Sequence, residues 1–138
     1  MLGPLIDFHR DSLEASRRLP PPLLDALHEA GLFRMLLPKP YGGEETTPVQ
    51  FFVAIEAAAR HDASVAWCLC QANGCAMTAA YLSPDVANEI WGKDPRAVLA
   101  WGPGKAEAVQ ADDGFVVSGS LKFASGGRHA TWLGAHTP

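Results

Sequence analysis

The stretch that decides the fold is residues 96–125, RAVLAWGPGKAEAVQADDGFVVSGSLKFAS. Its short apolar runs are separated by Gly102-Pro103-Gly104 and by Asp113-Gly114, and the second of these is a hairpin turn signal. With a last strand candidate at residues 130–135, the spacing predicts four or five short strands, which is typical of a small barrel or sandwich. Because so few strands leave edges that need partners, we expect this β part to be incomplete.

The residues before this stretch have a helical period instead. The segments predicted to be helical are 5–18, 23–31, 48–60, 64–82 and 84–92. Thr47-Pro48 is a strong start for the third segment, in which Val49, Phe52 and Ile55 are expected to share an apolar face. The helix that begins at Ser64 is apolar on nearly all sides, which favours a central position.

These patterns predict an α+β protein with a fixed order of elements. An all-α helical domain is expected at residues 1–95, and a small β-barrel-like domain is expected to begin at residues 96–138. The length of 138 residues suffices for a buried core without a disulfide or a metal. We therefore expect the fold to depend on apolar packing.

Composition and charge exclude several functional classes. The net charge is −4 and no run of Lys or Arg occurs, so a nucleic-acid partner or an anionic membrane is not expected. No apolar stretch reaches the roughly 20 residues of a membrane helix, and the first ten residues lack a secretory pattern. The cysteines, Cys68, Cys70 and Cys75, are interpreted as free thiols in a reducing cytoplasm.

Most familiar catalytic motifs are missing from the sequence. The five histidines are scattered without the spacing of a metal site, and neither a nucleophile elbow nor a Walker loop is present. Gly102-Pro103-Gly104 is interpreted as a turn and not as a phosphate loop. Among the tryptophans, Trp67 and Trp91 are predicted to be core residues, whereas Trp101 and Trp132 could either wall a planar cofactor or fill a barrel end.

Three segments, taken together, resemble the acyl-CoA dehydrogenase superfamily. They are residues 31–43 (GLFRMLLPKPYGG), residues 56–67 (EAAARHDASVAW) and residues 113–132 (DGFVVSGSLKFASGGRHATW). Their order and spacing match that superfamily over nearly the whole chain. The resemblance implies an N-terminal helical domain, a middle β-domain and a C-terminal helical bundle, and the last of these is absent here.

The resemblance also implies a flavin cofactor, FAD or FMN. In the family, an aromatic residue and a hydroxyl lie beside the flavin ring at the positions of Phe123 and Ser125, and a second segment that borders the ring corresponds to Leu99 to Trp101. The resemblance therefore assigns cofactor-binding positions to Leu99, Trp101, Phe123, Ala124 and Ser125. No catalytic residue is assigned, because the base of the dehydrogenases belongs to the C-terminal domain.

The resemblance leaves the reaction open. The main interpretation is a flavin-dependent oxidoreductase with acyl-CoA dehydrogenase-like flavin binding. However, residues 101–106 (WGPGKA) lack the acidic and Ser-Asp residues of the usual dehydrogenase stretch. Residues 123–132 (FASGGRHATW) instead look like the two-component flavin monooxygenases of the same fold, which hydroxylate aromatic or polyketide-like substrates with reduced flavin from a separate reductase.

Expected partners follow from the same resemblance. They are flavin, a small-molecule substrate or an acyl-CoA, and further copies of the full-length family protein in a homo-oligomer. A different alternative is an inactive truncated product, or a helical module that binds a partner. We expect the 138-residue chain alone to bind flavin weakly and to lack turnover, because the family shares its sites between domains.

Overall fold

The computed structural model describes residues 2–137, and in it the helices precede the strands, as predicted. The α-helices are α1 (Leu2–Ser16), α2 (Pro21–Glu29), α3 (Pro48–Ala59), α4 (Ala63–Ala76) and α5 (Pro84–Ala87). Short 3₁₀ turns lie at Lys39–Tyr41 and Met77–Ala80, and a π-helical turn lies at Asn88–Gly92. The strands are β1 (Leu99–Trp101), β2 (Gly104–Ala111), β3 (Gly114–Leu121) and β4 (Trp132–Gly134).

Local capping explains where two of the helices begin. The Thr47 hydroxyl accepts the N–H of Gln50 and the Gln50 side chain accepts the N–H of Thr47, which is a capping box with Pro48 at the first helical position. In front of α4 the cap is Asp62, whose carboxylate accepts the backbone N–H groups of Ser64 and Val65. The helix begins at Ala63, so the prediction that Ser64 begins it is off by one residue.

Two apolar clusters form the core. The larger one joins α1, α2 and α4, and its buried members include Ile6, Leu23, Leu27, Phe33, Val65 and Leu69. The second cluster surrounds Trp91, which is 2 % exposed, so its predicted core position is confirmed. Helix α4 contributes to both clusters, and its predicted central position is confirmed as well.

Two polar side chains connect the irregular segment after α2 to the rest of the helical part. The guanidinium of Arg34 donates to the backbone carbonyls of Tyr41, Gly42, Trp91 and Asp94. Burial lowers the pKa of Arg34. Asn73, the buried polar residue of α4, contacts the same segment through Leu32 and Leu36. These bonds satisfy several backbone groups of a segment that lacks regular structure.

The strands form two separate sheets within residues 2–137. Strands β2 and β3 pair antiparallel from Gly104–Leu121 to Ala111–Gly114, which confirms the predicted hairpin. Its turn is at 112–113, one position earlier than the predicted Asp113-Gly114. Strands β1 and β4 pair parallel. Residues 122–125, which follow β3, have none of this pairing, and Phe123 adopts a left-handed φ of 53°.

The apolar face predicted for α3 is covered only in part, since Ile55 packs against the larger cluster but two of its other members are exposed. Val49 is 74 % exposed and Phe52 is 68 % exposed, while Ala58 is the buried residue of this helix. Periodicity identifies an apolar stripe but does not show whether a neighbouring element covers it. Within the described residues, no helix has the length and hydropathy needed to span a membrane.

Candidate functional site

Helix α4 meets the end of β1 and the segment 122–127 along one seam. Gly102, directly after β1, is buried in this seam, and a Cβ built on it would lie 2.2 Å from the carbonyl oxygen of Lys122 and 2.8 Å from the nitrogen of Ala124. The N–H of Lys122 donates to the carbonyl of Pro103. Only glycine therefore permits the backbones on either side of Phe123 to approach the end of β1 this closely.

A side-chain hydrogen bond crosses the seam from the helical side. The indole Nε1 of Trp67 donates to Oγ of Ser125 over 2.9 Å, and these residues are 58 positions apart. Trp67 is 54 % exposed, so the prediction that it is a core residue was wrong. Its apolar neighbours in the sequence suggested burial, but its polar edge has a specific partner.

Two thiols of α4 face the same two backbone segments. The backbone N–H of Gly126 near Cys68 and that of Trp101 near Cys75 each lower the pKa of the thiol, but burial has the larger effect. The two cysteines are seven positions apart, which places them on one face of the helix. Burial raises the pKa of both thiols, so they are protonated at neutral pH and serve as packing groups. Cys68, Cys70 and Cys75 are all free, as the sequence predicted.

The residues assigned to the cofactor from the sequence lie on both sides of this seam. Trp101 is 41 % exposed and Phe123 is 87 % exposed, whereas Ala124 and Ser125 are partly buried. Leu99 packs partly against the cluster around Trp91, so its side chain contacts the core. Gly102 brings these two segments together and Trp67 contacts one of them, although neither residue was predicted to belong to the site.

This arrangement fits a planar aromatic cofactor. It offers two exposed aromatic side chains, Trp101 and Phe123, on backbones that touch at Gly102, and one anchored hydroxyl at Ser125. A large exposed aromatic ring on a left-handed backbone is unfavourable unless the surroundings hold it there, and such residues concentrate at functional sites. A metal site has no comparable support, because residues 2–137 contain no cluster of ligating side chains suited to a metal ion.

Next to the seam lies a stack of His28, Phe33 and His129. The ring centroids are 4.5 Å apart for His28 and Phe33, and 5.4 Å apart for Phe33 and His129. The Nε2 atom of His129 is buried without a hydrogen-bond partner among the described residues. Burial lowers the pKa of His129, and burial together with the charge of Arg96 lowers the pKa of His28 to about 4. Both rings are therefore neutral at pH 7.

This stack predicts that the chain loses stability on mild acidification. In the unfolded chain His28 has its ordinary pKa of about 6.5, so it binds a proton below that pH. In the folded chain the pKa of His28 is about 4, so it stays neutral until the pH is much lower. Arg96 and His129 oppose protonation, while Asp25 and Asp94 favour it only weakly. The urea midpoint should therefore fall between pH 7.5 and 5, and it should fall less in His28→Gln.

A matched control for this prediction is His9→Gln, in a histidine of α1 outside the stack. Its urea midpoint should depend on pH as that of the unmodified chain does. An equal fall of the midpoint in His28→Gln and in the unmodified chain would show that His28 does not couple folding to pH.

Known proteins of similar sequence include flavin-dependent enzymes. The family model described as acyl-CoA dehydrogenase, N-terminal domain, matches residues 5–89. The oxygenase subunit HsaA, a flavin-dependent monooxygenase of Rhodococcus jostii (strain RHA1), is 31% identical over 133 residues, which cover 95% of this chain and 35% of that protein. The oxygenase component of p-hydroxyphenylacetate 3-hydroxylase from Acinetobacter baumannii is 33% identical, over 94% of this chain and 31% of its own length.

Solved structures show the same likeness. XiaF from Streptomyces sp., in complex with FADH2 and glycerol, superposes with a TM-score of 0.91 at 26% identity and covers 96% of this chain. The 3-HSA hydroxylase from Rhodococcus sp. RHA1 superposes with a TM-score of 0.87 at 28% identity. The chain spans 34% of the first of these structures and 35% of the second, about one third of the length of its relatives.

Proposed function

The chain belongs to the family of acyl-CoA dehydrogenase N-terminal domains, and from that premise we propose that it supplies the flavin-bordering wall of a flavin-dependent monooxygenase. The chain is homologous to the oxygenase components of such monooxygenases over their N-terminal third. This homology favours the monooxygenase alternative over the dehydrogenase interpretation. Residues 1–95 are proposed as the helical domain, and residues 96–138 as the first part of a middle β-domain.

The observation that carries the proposal is the seam itself. Trp101 and Phe123 are proposed to line the flavin ring, with Leu99 and Ala124 as backbone neighbours and Ser125 as the hydroxyl near its polar edge. FAD is the proposed form, because the XiaF structure contains FADH2 and a relative from Rhizobium sp. (strain MTP-10005) is named an FADH2-dependent resorcinol hydroxylase. The flavin would supply the redox chemistry, and these residues would bind and orient it.

The Trp67–Ser125 bond defines what Ser125 is able to do. A hydroxyl has one hydrogen and two lone pairs, and the indole N–H occupies one lone pair. The hydrogen of Ser125 therefore stays available for an acceptor on the cofactor side. Since an indole is a donor only, Trp67 cannot take up that hydrogen, and the pair acts as a fixed donor toward the proposed flavin edge.

We expect Trp67→Phe to weaken flavin binding by roughly fivefold, because it removes one neutral hydrogen bond while an aromatic ring remains. Titration of the chain with FAD, followed by quenching of flavin fluorescence, measures the effect. Trp132→Phe is the matched control, since its indole forms no side-chain hydrogen bond within residues 2–137. Ser125→Ala should cost less affinity in the Trp67→Phe background than in the unmodified chain, and fully additive losses would show that the two residues act separately.

Phe123→Ala should lower flavin affinity about tenfold and leave the free energy of unfolding nearly unchanged, because the ring is 87 % exposed. Phe52→Ala on α3 is the control, since this ring is 68 % exposed and distant from the seam in sequence. Flavin titration and urea unfolding of both variants give the comparison. Equal flavin affinities in the two variants would contradict the proposed role of Phe123.

The proposed reaction class has a direct test in a chimaera. Residues 1–138 would replace the matching third of the p-hydroxyphenylacetate 3-hydroxylase oxygenase component, which they match over 94% of their length. With reduced flavin and a phenol, the chimaera should consume oxygen and form a hydroxylated product. The host supplies the C-terminal domain, so the chimaera tests whether residues 1–138 can serve as the N-terminal third of a monooxygenase. A folded chimaera that binds no flavin, or that forms no hydroxylated product, would contradict the proposal.

A further inference from the structure

Two adjoining clefts lie beside the seam, on the side of α1 and the α1–α2 connection. The larger has a volume of about 730 Å³ and the smaller about 320 Å³. Arg18, Leu19, Arg128 and His129 line both clefts, so these residues form their common wall. The larger cleft also contains apolar surface from Leu13 and Trp67.

The unpaired arginines of the chain are concentrated here. Four of the seven arginines have partners within the described residues: Arg10 with Asp7, Arg34 with backbone carbonyls, Arg60 with Glu56 and Arg96 with Asp25. The other three, Arg17, Arg18 and Arg128, form no salt bridge and no side-chain hydrogen bond within residues 2–137. All three line the larger cleft. In a chain with a net charge of −4, this is an uneven distribution of positive charge.

The carboxylates near the clefts do not neutralise this charge. Glu14 and Asp62 line the larger cleft. Asp62 is committed to the N-terminus of α4, so Glu14 is one carboxylate against the three arginines Arg17, Arg18 and Arg128. The smaller cleft is lined by Arg18, Arg96 and Arg128 without a carboxylate among the described residues. Arg96 has its ion pair with Asp25 and still contributes to the low pKa of His28. The local potential is therefore positive.

We propose that the common wall of the two clefts binds the phosphoryl group of a small phosphorylated ligand, through Arg18 and Arg128 with Arg17 as a third cation. A carboxylate has one charge and is satisfied by one guanidinium fork, whereas a phosphoryl group offers three oxygens and nearly two charges to several forks. Leu13 and Trp67 provide a surface for the apolar body of that ligand. The larger cleft is also lined by Ala124 and Ser125, so the site adjoins the proposed flavin wall and, for a flavin nucleotide, rests on the proposed function.

The backbone at Arg17 is consistent with a binding role. Arg17 has a φ of 51°, a left-handed conformation that favours glycine, yet this position carries a long cationic side chain. Its N–H closes α1 by donating to the carbonyl of Leu13. Both Arg17 and Arg18 line the larger cleft opposite residues 126–129.

Inorganic phosphate, titrated into the whole chain at pH 7.5 and constant ionic strength, tests the proposal. NMR signals of the arginine Nε–H groups should shift saturably for Arg18 and Arg128, and sodium chloride at equal ionic strength should not reproduce the shifts. Arg18→Gln and Arg128→Gln should each lower phosphate affinity by about tenfold. Arg60→Gln is the control and should keep the affinity, since Arg60 is paired with Glu56 on the exposed side of α3.

Two outcomes would overturn the proposal: shifts that sodium chloride reproduces, or an unchanged phosphate affinity in both Arg18→Gln and Arg128→Gln. These exposed residues are replaceable without loss of fold, which circular dichroism checks. Competition of FMN, AMP and riboflavin with phosphate shows which kind of ligand carries the phosphoryl group. FMN binding more tightly than AMP supports a flavin nucleotide, whereas equal binding supports a generic organic phosphate. Riboflavin lacks the phosphate and tests residues 99–101 and 123–125 independently.

Discussion

Asn73→Ala is expected to destabilise the chain by about 3 kcal/mol, because buried backbone groups lose their partners. Asn73 is fully buried in α4. Its Oδ1 accepts the N–H of Leu36 over 3.0 Å, and its Nδ2 donates to the carbonyls of Leu32 and Leu69 over 2.7 and 2.9 Å. The Leu69 carbonyl is within the helix, but the groups at Leu32 and Leu36 belong to a segment without regular structure. Alanine leaves both of these unsatisfied.

Urea unfolding followed by circular dichroism measures this effect. The control is Asn88→Ala, an exposed asparagine, for which a change within about 0.5 kcal/mol is expected. Asn73→Asp should be at least as harmful as Asn73→Ala at neutral pH, because a carboxylate cannot donate to Leu32 and is costly to bury. A free energy of unfolding within 0.5 kcal/mol of the unmodified chain for Asn73→Ala would refute the role assigned to this amide.

Gly102→Ala is expected to abolish the response of the chain to flavin while the helical part stays folded. The added methyl group would lie 2.2 Å from the Lys122 carbonyl oxygen, and backbone atoms cannot move aside as the end of a flexible side chain does. The end of β1 and the segment around Phe123 must then separate. Since the proposed flavin wall needs both segments together, flavin affinity should fall more than about tenfold. The overpacking should also lower the free energy of unfolding by typically about 1–3 kcal/mol.

Gly74→Ala is the matched control for this replacement. Nothing lies within 4 Å of a Cβ at Gly74, and alanine in a helix is favoured over glycine by roughly 0.5–1 kcal/mol. The Gly74→Ala chain should therefore be as stable as the unmodified chain or more so, with unchanged flavin binding. If Gly102→Ala binds flavin as well as Gly74→Ala does, the close approach at Gly102 is irrelevant to the site.

Local signals in the sequence predicted much of this fold. The Thr47-Pro48 start of α3 and the hairpin around Asp113-Gly114 are confirmed, because capping and turn formation depend on residues a few positions apart. The order of helices before strands is confirmed for the same reason. The exposure of Val49 and Phe52 could not be predicted, since it depends on which elements are available to cover α3.

The candidate site was only partly predictable. The resemblance assigned Trp101, Phe123 and Ser125 to the cofactor, whereas the helical pattern predicted Trp67 to be a core residue, which its exposure contradicts. The contact of Trp67 with Ser125 joins residues 58 positions apart, so no short-range pattern contains it. The Gly-Pro-Gly sequence predicted a turn. Because glycine is common where another backbone approaches closely, the same sequence could also have indicated Gly102 as a residue of the site.

The central claim is that the seam between α4, the end of β1 and residues 122–127 is a flavin-binding wall. Amide chemical shifts of the chain, recorded during titration with FAD, test this most directly because they locate even weak binding. We predict saturable shifts that concentrate at residues 99–102 and 122–126 and at the indole N–H of Trp67, and that decrease in Gly102→Ala. Absence of saturable shifts, or shifts confined to α2 and the β2–β3 hairpin, would contradict the account.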